Sequence, residues 1–251
     1  MKLSTLNSKL NLLSVGTNSK TSKGDKDNNL TAIMYLSSSD TSGYDVCAGA
    51  STPACKQECL LWAGRGQMTS VQEARKRKTI MFFEDQPKFL EYLDNDLNLF
   101  RNFCLENNLQ GFVRLNGTSD LNFINLIVRD NKDIFQLYPE IQFYDYTKIY
   151  DRESSYTNYY LLYSKSELTT VDQVKDLVSN GKNVSVVFES VPTSWEGIEV
   201  IDGDESDLRP LDKSGVVVGL RAKGLARIGI KKGINSGFVI LNNTQINVHQ
   251  I

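Results

Sequence analysis

The chain has 251 residues, a net charge of −2, 40% apolar residues and 23% charged residues. That length can bury one full hydrophobic core or two modest ones, and the composition excludes wholesale disorder. No apolar run approaches the roughly 20 residues of a bilayer span, and the near-neutral balance removes any bulk-electrostatic case for nucleic-acid binding, leaving only a local basic patch for that role.

Residues 1–29 read as an N-terminal extension. Leu3, Leu6, Leu10, Leu12 and Leu13 are too interrupted by Ser, Asn and Lys for a signal peptide, and TNSKTSKGDKDNN after them reads as a polar surface loop. The rest, 30–251, reads as a single α/β domain. LTAIMYL (30–36) is the first strand, and SSSDTSGYD leads into a cysteine-rich loop at 45–66. GQMTSVQEARKRKTIMFF is expected to be helical, capped by Thr69 or Ser70 with Glu73 as the capping-box partner. A second helix spans Pro87 to Leu105, with Phe89, Leu90, Leu93, Leu97, Phe100 and Cys104 near helical spacing.

FVRL (112–115) is a strand, and Asp120 is expected to cap a helix over LNFINLIVRD. Strands follow at IQFY (141–144), YYLLY (159–163), NVSVVFE (183–189), IEVI (198–201) and GVVVGL (215–220), with LARIGI (225–230) as a further candidate. TTVDQVKDLVSNG is a short amphipathic helix with Gly181 at its C-terminal end. Strands alternating with helices give an α/β class with a mostly parallel sheet. The helices thin out after residue 190, which favours a barrel-like or partial (β/α) barrel with a β-rich C-terminal part.

The most unusual chemistry lies in the loop. Cys47, Cys55 and Cys59 have the spacing C-x7-C-x3-C. Thiolates are soft ligands for zinc or iron–sulfur clusters, and three on one loop suit a [4Fe-4S] cluster with one iron left open, or zinc with a fourth ligand from elsewhere. His249, the single histidine, stands at the extreme C-terminus, a poor place for that ligand. The competing reading is a loop whose cysteines pack as small apolar groups. A cytoplasmic location is expected, and with it no disulfide framework.

Downstream, Arg75, Lys76, Arg77 and Lys78 form a basic run that could meet a nucleic acid, or be a solvated helix surface. Polar residues follow the strands at Arg114, Asn116, Asp145, Lys148, Ser164, Lys165, Asp202, Asp204, Asp207 and Arg209. Parallel α/β folds bind ligands beyond those strand ends, although Asp and Asn also serve there in turns. Tyr146, in the aromatic stretch FYDYTKIYDR, can stack on a base. Asp202, Asp204 and Asp207 offer carboxylates for Mg or another hard cation, without the EF-hand series. No Walker, GxSxG or HExxH motif occurs, and the lone histidine argues against serine–histidine hydrolysis.

On CAGASTPACKQECLLWAGRG, EARKRKT, VRLNGTSDLNF, PEIQFYDYTK, YYLLYSKSE, VIDGDESDLRP and GLRAKGLA, the chain resembles the gene product 88-like proteins of phages and mobile elements. The resemblance covers roughly residues 30–240. It also bears a fainter resemblance to radical-SAM-like proteins, in which three cysteines after the first strand of a partial barrel ligate an iron–sulfur cluster. The spacing here departs from their CxxxCxxC. That second resemblance implies S-adenosylmethionine near Asn116, Gly117 and Ser119, with Lys148 or Asp145 nearer the substrate.

The resulting expectation is an enzyme acting on a nucleic acid or nucleotide. Cys47, Cys55 and Cys59 would hold the metal, and Asp145, Lys148 and Asp202 would be catalytic. Arg114, Asn116, Tyr146, Asp204 and Arg209 would bind substrate. The alternatives are a non-catalytic accessory protein that binds nucleic acid or protein, and a divalent-cation-dependent nuclease.

Overall fold

The computed structural model describes residues 1–16, 28–60, 63–234 and 236–242. Most of the polar stretch read as a surface loop, and His249, lie outside the described residues. The strands are β1 (Leu13–Val15), β2 (Asn29–Met34), β3 (Gln110–Arg114), β4 (Gln142–Thr147), β5 (Tyr159–Ser164), β6 (Val184–Phe188), β7 (Ser194–Trp195), β8 (Ile198–Asp202) and β9 (Val217–Arg221). The helices are α1 (Leu3–Lys9), α2 (Pro53–Gln57), α3 (Thr69–Glu84), α4 (Gln86–Glu106), α5 (Ile134–Leu137), α6 (Val171–Ser179) and α7 (Gly224–Lys231).

The strands form one sheet in the order β1-β2-β3-β4-β5-β6-β9-β8-β7. From β2 to β6 each strand pairs in parallel with the next in sequence, and β9 and β8 continue the parallel run. From β2 to β6 the order steps one way without reversal, which is the winding of a barrel; beyond β6 it reverses, because β9 lies between β6 and β8. The sheet stays open, with β1 and β7 antiparallel at its edges. The α/β, mostly parallel, partial-barrel architecture is the one expected from the alternation of strands and helices.

The long helix α4 shows why these residues fold this way. Asp85 caps it by accepting from the Lys88 amide, Pro87 sits in its first turn, and Phe89, Leu93, Leu97 and Phe100 line one buried face. That face packs with Leu6, Leu12, Ala32, Val113 and Phe143 in the main core. Cys104 joins the same face, away from the other cysteines. Residues alternate across each strand, so Val113 and Phe143 meet this core. Phe112 and Tyr144 turn to the opposite, inner face, where they meet Leu208. In α6, Thr170 and Gln173 form a reciprocal capping box, and Gly181 follows the C-cap with φ +78, a conformation glycine adopts at little cost.

Three expected local features differ. Residues 121–130 form no helix: Asn125 and Asp130 hold positive φ, and the side chains of Asn122 and Asp133 accept from the amides of Ile124 and Asn125. Such side-chain bonds compete with the helical backbone. Residues 225–230 lie in helix α7, because Ala222, Ala226 and Ile230 recur at a spacing of four and share one apolar cluster with Val239. Neither Thr69 nor Ser70 caps α3. The chain enters from a 3-10 turn at Gly64–Gln67, so Met68 takes the extended cap position without a side-chain bond.

Candidate active site

The loops after β2, β3, β4 and β5 meet at the carboxyl ends of the strands. Gly117 brings the β3 loop against the end of β2: its N–H donates to Met34 O at 3.0 Å, and a Cβ there would lie 2.6 Å from that same oxygen. Only glycine allows so close an approach. Thr118 Oγ1 donates to Leu36 O, and the Asp120 amide donates to Val46 O, one residue before Cys47. From the other side, Glu167 of the β5 loop accepts from Thr52 Oγ1 at 2.7 Å and from the Ala54 amide at 3.1 Å. The first half of the cysteine loop is thus tied down, at Val46 and at Thr52–Ala54, by loops far away in sequence.

Cys47, Cys55 and Cys59 are partly buried free thiols at this mouth. Burial pushes the Cys47 thiol up to about 12, against a backbone bond from Ser39, and the neighbouring Asp120, Cys55 and Cys59 raise it further. Burial also raises Cys55, opposed chiefly by the charge of Lys148. The three thiols therefore share one neighbourhood. Among the described residues, however, no three His, Cys, Asp or Glu side chains are gathered into a metal-ligand set. The donor chemistry fits a soft metal, and closing the set requires the thiols to move together.

Lys148 is the charge at the centre of the mouth. Its ammonium donates to Ser164 Oγ and Lys165 O, both at 3.1 Å, and lies 4.8 Å from the centroid of the Phe238 ring. Burial lowers its pKa, opposed by Cys55, Asp120 and Glu167. Its amide donates to Asp120 Oδ2 at 2.8 Å, and Arg152 pairs with Asp120 Oδ1. Asp120, expected as a helix cap, instead joins the β3 and β4 loops beside the thiols.

Asn116 and Asp145 stand behind this mouth and hold it in shape. Asp145 accepts from the Asn116 amide at 2.7 Å and from Asn116 Nδ2 and Tyr159 Oη at 3.1 Å. The Asn116 side-chain oxygen accepts from Ser119 Oγ and the Leu121 amide, so its amide group is spent within the protein. Burial pushes the Asp145 carboxyl up to about 7, against the bonds from Asn116.

Arg114, Tyr146 and Arg209 come together on the inner face of the sheet. The Arg114 guanidinium lies 4.5 Å from the centroid of the Tyr146 ring. Arg209, from the 3-10 turn Arg209–Leu211, is 1% exposed and donates through Nη2 to Gly203 O and Ser206 O. Its Nη1 lies 3.1 Å from Asp212 Oδ2, an ion pair whose angles fall short of a hydrogen bond. Tyr144 and Asp207 complete the group. Burial alone would lower the pKa of Arg114, and Asp207, Tyr146, Tyr144 and Asp145 together more than reverse this.

The remaining acidic residues lie elsewhere. Asp202 and Asp204 are engaged by Arg221, and Asp204 also by Lys223 at 2.6 Å. The basic run on α3 is divided as well: Lys76 and Arg77 are exposed, while Arg75 lies 4.9 Å from the Tyr35 ring centroid and Lys78 donates to Leu12 O at 2.6 Å. Glu167, Tyr144 and the role of Asp120 were missed in the sequence reading. The polar cluster Ser164–Glu167 directly after a strand was the available signal for Glu167. A shallow depression lined by Asn28, Asn29, Cys104, Leu105 and Gln110 lies at the opposite ends of β2 and β3 and contains no charged group.

The fold and this mouth define an open, barrel-like α/β protein with a thiol- and lysine-bearing site over the carboxyl ends of its parallel strands. A family model described as Gene product 88 matches residues 10–241, and the chain belongs to that family. No curated protein and no solved structure matches it. No described helix is long and apolar enough to cross a membrane.

Proposed function

We propose that this chain is an enzyme that holds a thiolate-bound metal or iron–sulfur cluster at Cys47, Cys55 and Cys59 and acts on a nucleotide or nucleic acid. The observation that supports the reading is that three thiols of one loop lie in the neighbourhood of a buried lysine at the carboxyl ends of parallel strands, where such folds bind ligands. A metal of this kind would supply Lewis-acid or redox chemistry that the side chains lack. Lys148, fixed by oxygen acceptors, would present a positive charge or a proton to the substrate. Asp120 and Glu167 would hold the loops that carry the thiols. S-adenosylmethionine is an expected co-substrate on the radical-SAM-like resemblance, and its place would be beside the Gly117 loop.

The accessory-protein reading draws on Lys76 and Arg77, the exposed members of the basic run. The nuclease reading has less support, since a divalent cation at Asp202 and Asp204 would compete with Arg221 and Lys223.

The deciding experiment is iron, zinc and sulfide analysis of protein purified without oxygen, with its visible spectrum, for wild type and Cys55→Ala. A cluster enzyme gives about four irons per chain and broad absorbance near roughly 400 nm, lost in Cys55→Ala. Stoichiometric zinc would identify a zinc site in place of a cluster. A folded, metal-free wild type rejects the metal reading and turns the search to salt-dependent nucleic-acid binding.

A further inference from the structure

Residues 236–242, after α7, lie across the mouth. On one edge β6 bonds to β9, with Val184 donating to Val216 O and Ala222 donating to Phe188 O. On the other edge Ser185 O accepts from the Lys165 amide at the end of β5, and there β5 departs. Ile240 then takes over that edge: its amide donates to Val187 O at 2.9 Å, and its carbonyl accepts from the Glu189 amide at 3.0 Å. The segment is thus wedged in where β5 and β6 part at their carboxyl ends.

Three contacts join it to the mouth. The Phe238 ring stands over the Lys148 ammonium, whose protons are held by Ser164 Oγ and Lys165 O, and a ring face attracts a cation so placed. Ser236 Oγ donates to Glu58 Oε1, on the residue before Cys59. A Cβ at Gly237 would lie 3.4 Å from Glu167 Cβ. The segment therefore covers the charge of the mouth and clips the second half of the cysteine loop. Its own anchorage is slight. It has the two Ile240 ladder bonds, exposed bonds from Asn242 to Glu189 and Ser190, and Val239 packed with Ala222 and Ala226. By contrast, β6 and β9 pair along their full lengths. Gly233 and Gly237 hold φ +74 and +83, backbone states that turn the chain at little cost only for glycine. Weakly anchored segments of this kind open locally, below the free energy of global unfolding.

We propose that residues 236–242 are a strap that closes the mouth at rest and lifts as a unit to uncover Lys148 and release Glu58. It rests on the reading of the mouth as the functional site for what the strap regulates.

The test combines amide hydrogen exchange with trace acetylation of lysines by acetic anhydride, mapped by peptide mass spectrometry, on wild type and Gly237→Val. In wild type the Ile240 and Glu189 amides should exchange about tenfold or more faster than Val186 at the centre of β6, and Lys148 should acetylate about tenfold or more slowly than exposed Lys175. A β-branched residue is strained at the φ of Gly237, so Gly237→Val disfavours the closed strap and leaves Phe238 and Ser236 in place. It should speed strap exchange and Lys148 acetylation by the same several-fold factor. Val186 exchange, and acetylation of Lys78 on α3, should not change. Strap amides that exchange as slowly as Val186 overturn the proposal. So does a Gly237→Val protein with faster strap exchange but unchanged Lys148, or with an equal gain at Lys78, which would assign the exposure to loosening of the whole fold. The thiol reading fails separately: a metal-free protein whose strap lifts leaves this inference standing, whereas a metal-loaded protein whose strap stays shut removes this inference alone.

Discussion

Asp145 shows how one carboxyl can organise the candidate site through its hydrogen bonds. It binds the Asn116 amide, the Asn116 side chain and Tyr159, and so fixes the loop that supports the cysteines. Burial raises its pKa from 3.8 to about 7. A carboxyl whose folded pKa exceeds its unfolded one binds more protons in the native state between those values. The native protein is therefore favoured at the acidic side of the window, and stability contributed by this group falls as pH rises from about 4 to about 7. Asp145→Asn removes the titration but sets two amide nitrogens face to face at Asn116. It should lower stability by about 1–2 kcal/mol and abolish this part of the pH slope. Urea denaturation of both proteins at several pH values between 4 and 8 checks it, and a slope that survives in Asp145→Asn would assign the effect to another group.

At the scale of elements, α4 carries a second organising carboxylate. Asp96, 0% exposed, accepts from the amides of Asn11, Leu12 and Leu13 at 2.7–3.0 Å and so clips the segment between α1 and β1 onto the helix. Lys78 of α3 holds Leu12 O from the other side. Asp96→Ala leaves several amides unpaired under Leu12 and Leu13 and should cost about 3 kcal/mol or more, with hydrogen exchange accelerated at residues 11–15. Protection unchanged there would show that apolar packing alone holds β1. Nothing in the sequence distinguishes this carboxylate from a solvated helix residue, because its partners lie more than 80 positions away. The same limit explains the basic run, whose members part company only when α3 meets β2 and the N-terminal segment. Strands and long helices were legible because alternation and capping are local signals. The stretch at 121–130 misled because its apolar residues have helical spacing while its Asn and Asp side chains bond to nearby backbone. The cysteine loop and strand-end residues were legible as a collection. Which of them meet depends on register: Asp145 and Tyr146 are neighbours in sequence yet face opposite sides of one strand.

Across the whole molecule, the open winding of the sheet sets the cysteine loop of β2 and the Lys148–Glu167 region of β4 and β5 over one mouth. The bond between Thr52 and Glu167 closes a span of 115 residues. Burial would raise the Glu167 pKa, but the bonds from Thr52, its own backbone and Ala54, together with the charge of Lys148, outweigh it and leave it lowered. That sign means the tether contributes stability at neutral pH and loses it in acid, as pH falls through the folded pKa. Glu167→Ala frees Thr52 and the first turn of α2, the helix that carries Cys55. The expected cost is modest, about 1–2 kcal/mol for a partly exposed pair of bonds, because the main core is untouched. The thiols should respond more than the melting temperature does. Alkylation of Cys55 by iodoacetamide, followed by peptide mass spectrometry at neutral pH, should be several-fold faster in Glu167→Ala, whereas alkylation of Cys104, buried on α4, stays at the wild-type rate. Equal acceleration at both cysteines would mean that the substitution loosens the whole fold. No acceleration at Cys55 would mean that the loop is held by its β3-loop contacts at Thr118 and Asp120, and that the two halves of the mouth are fastened independently.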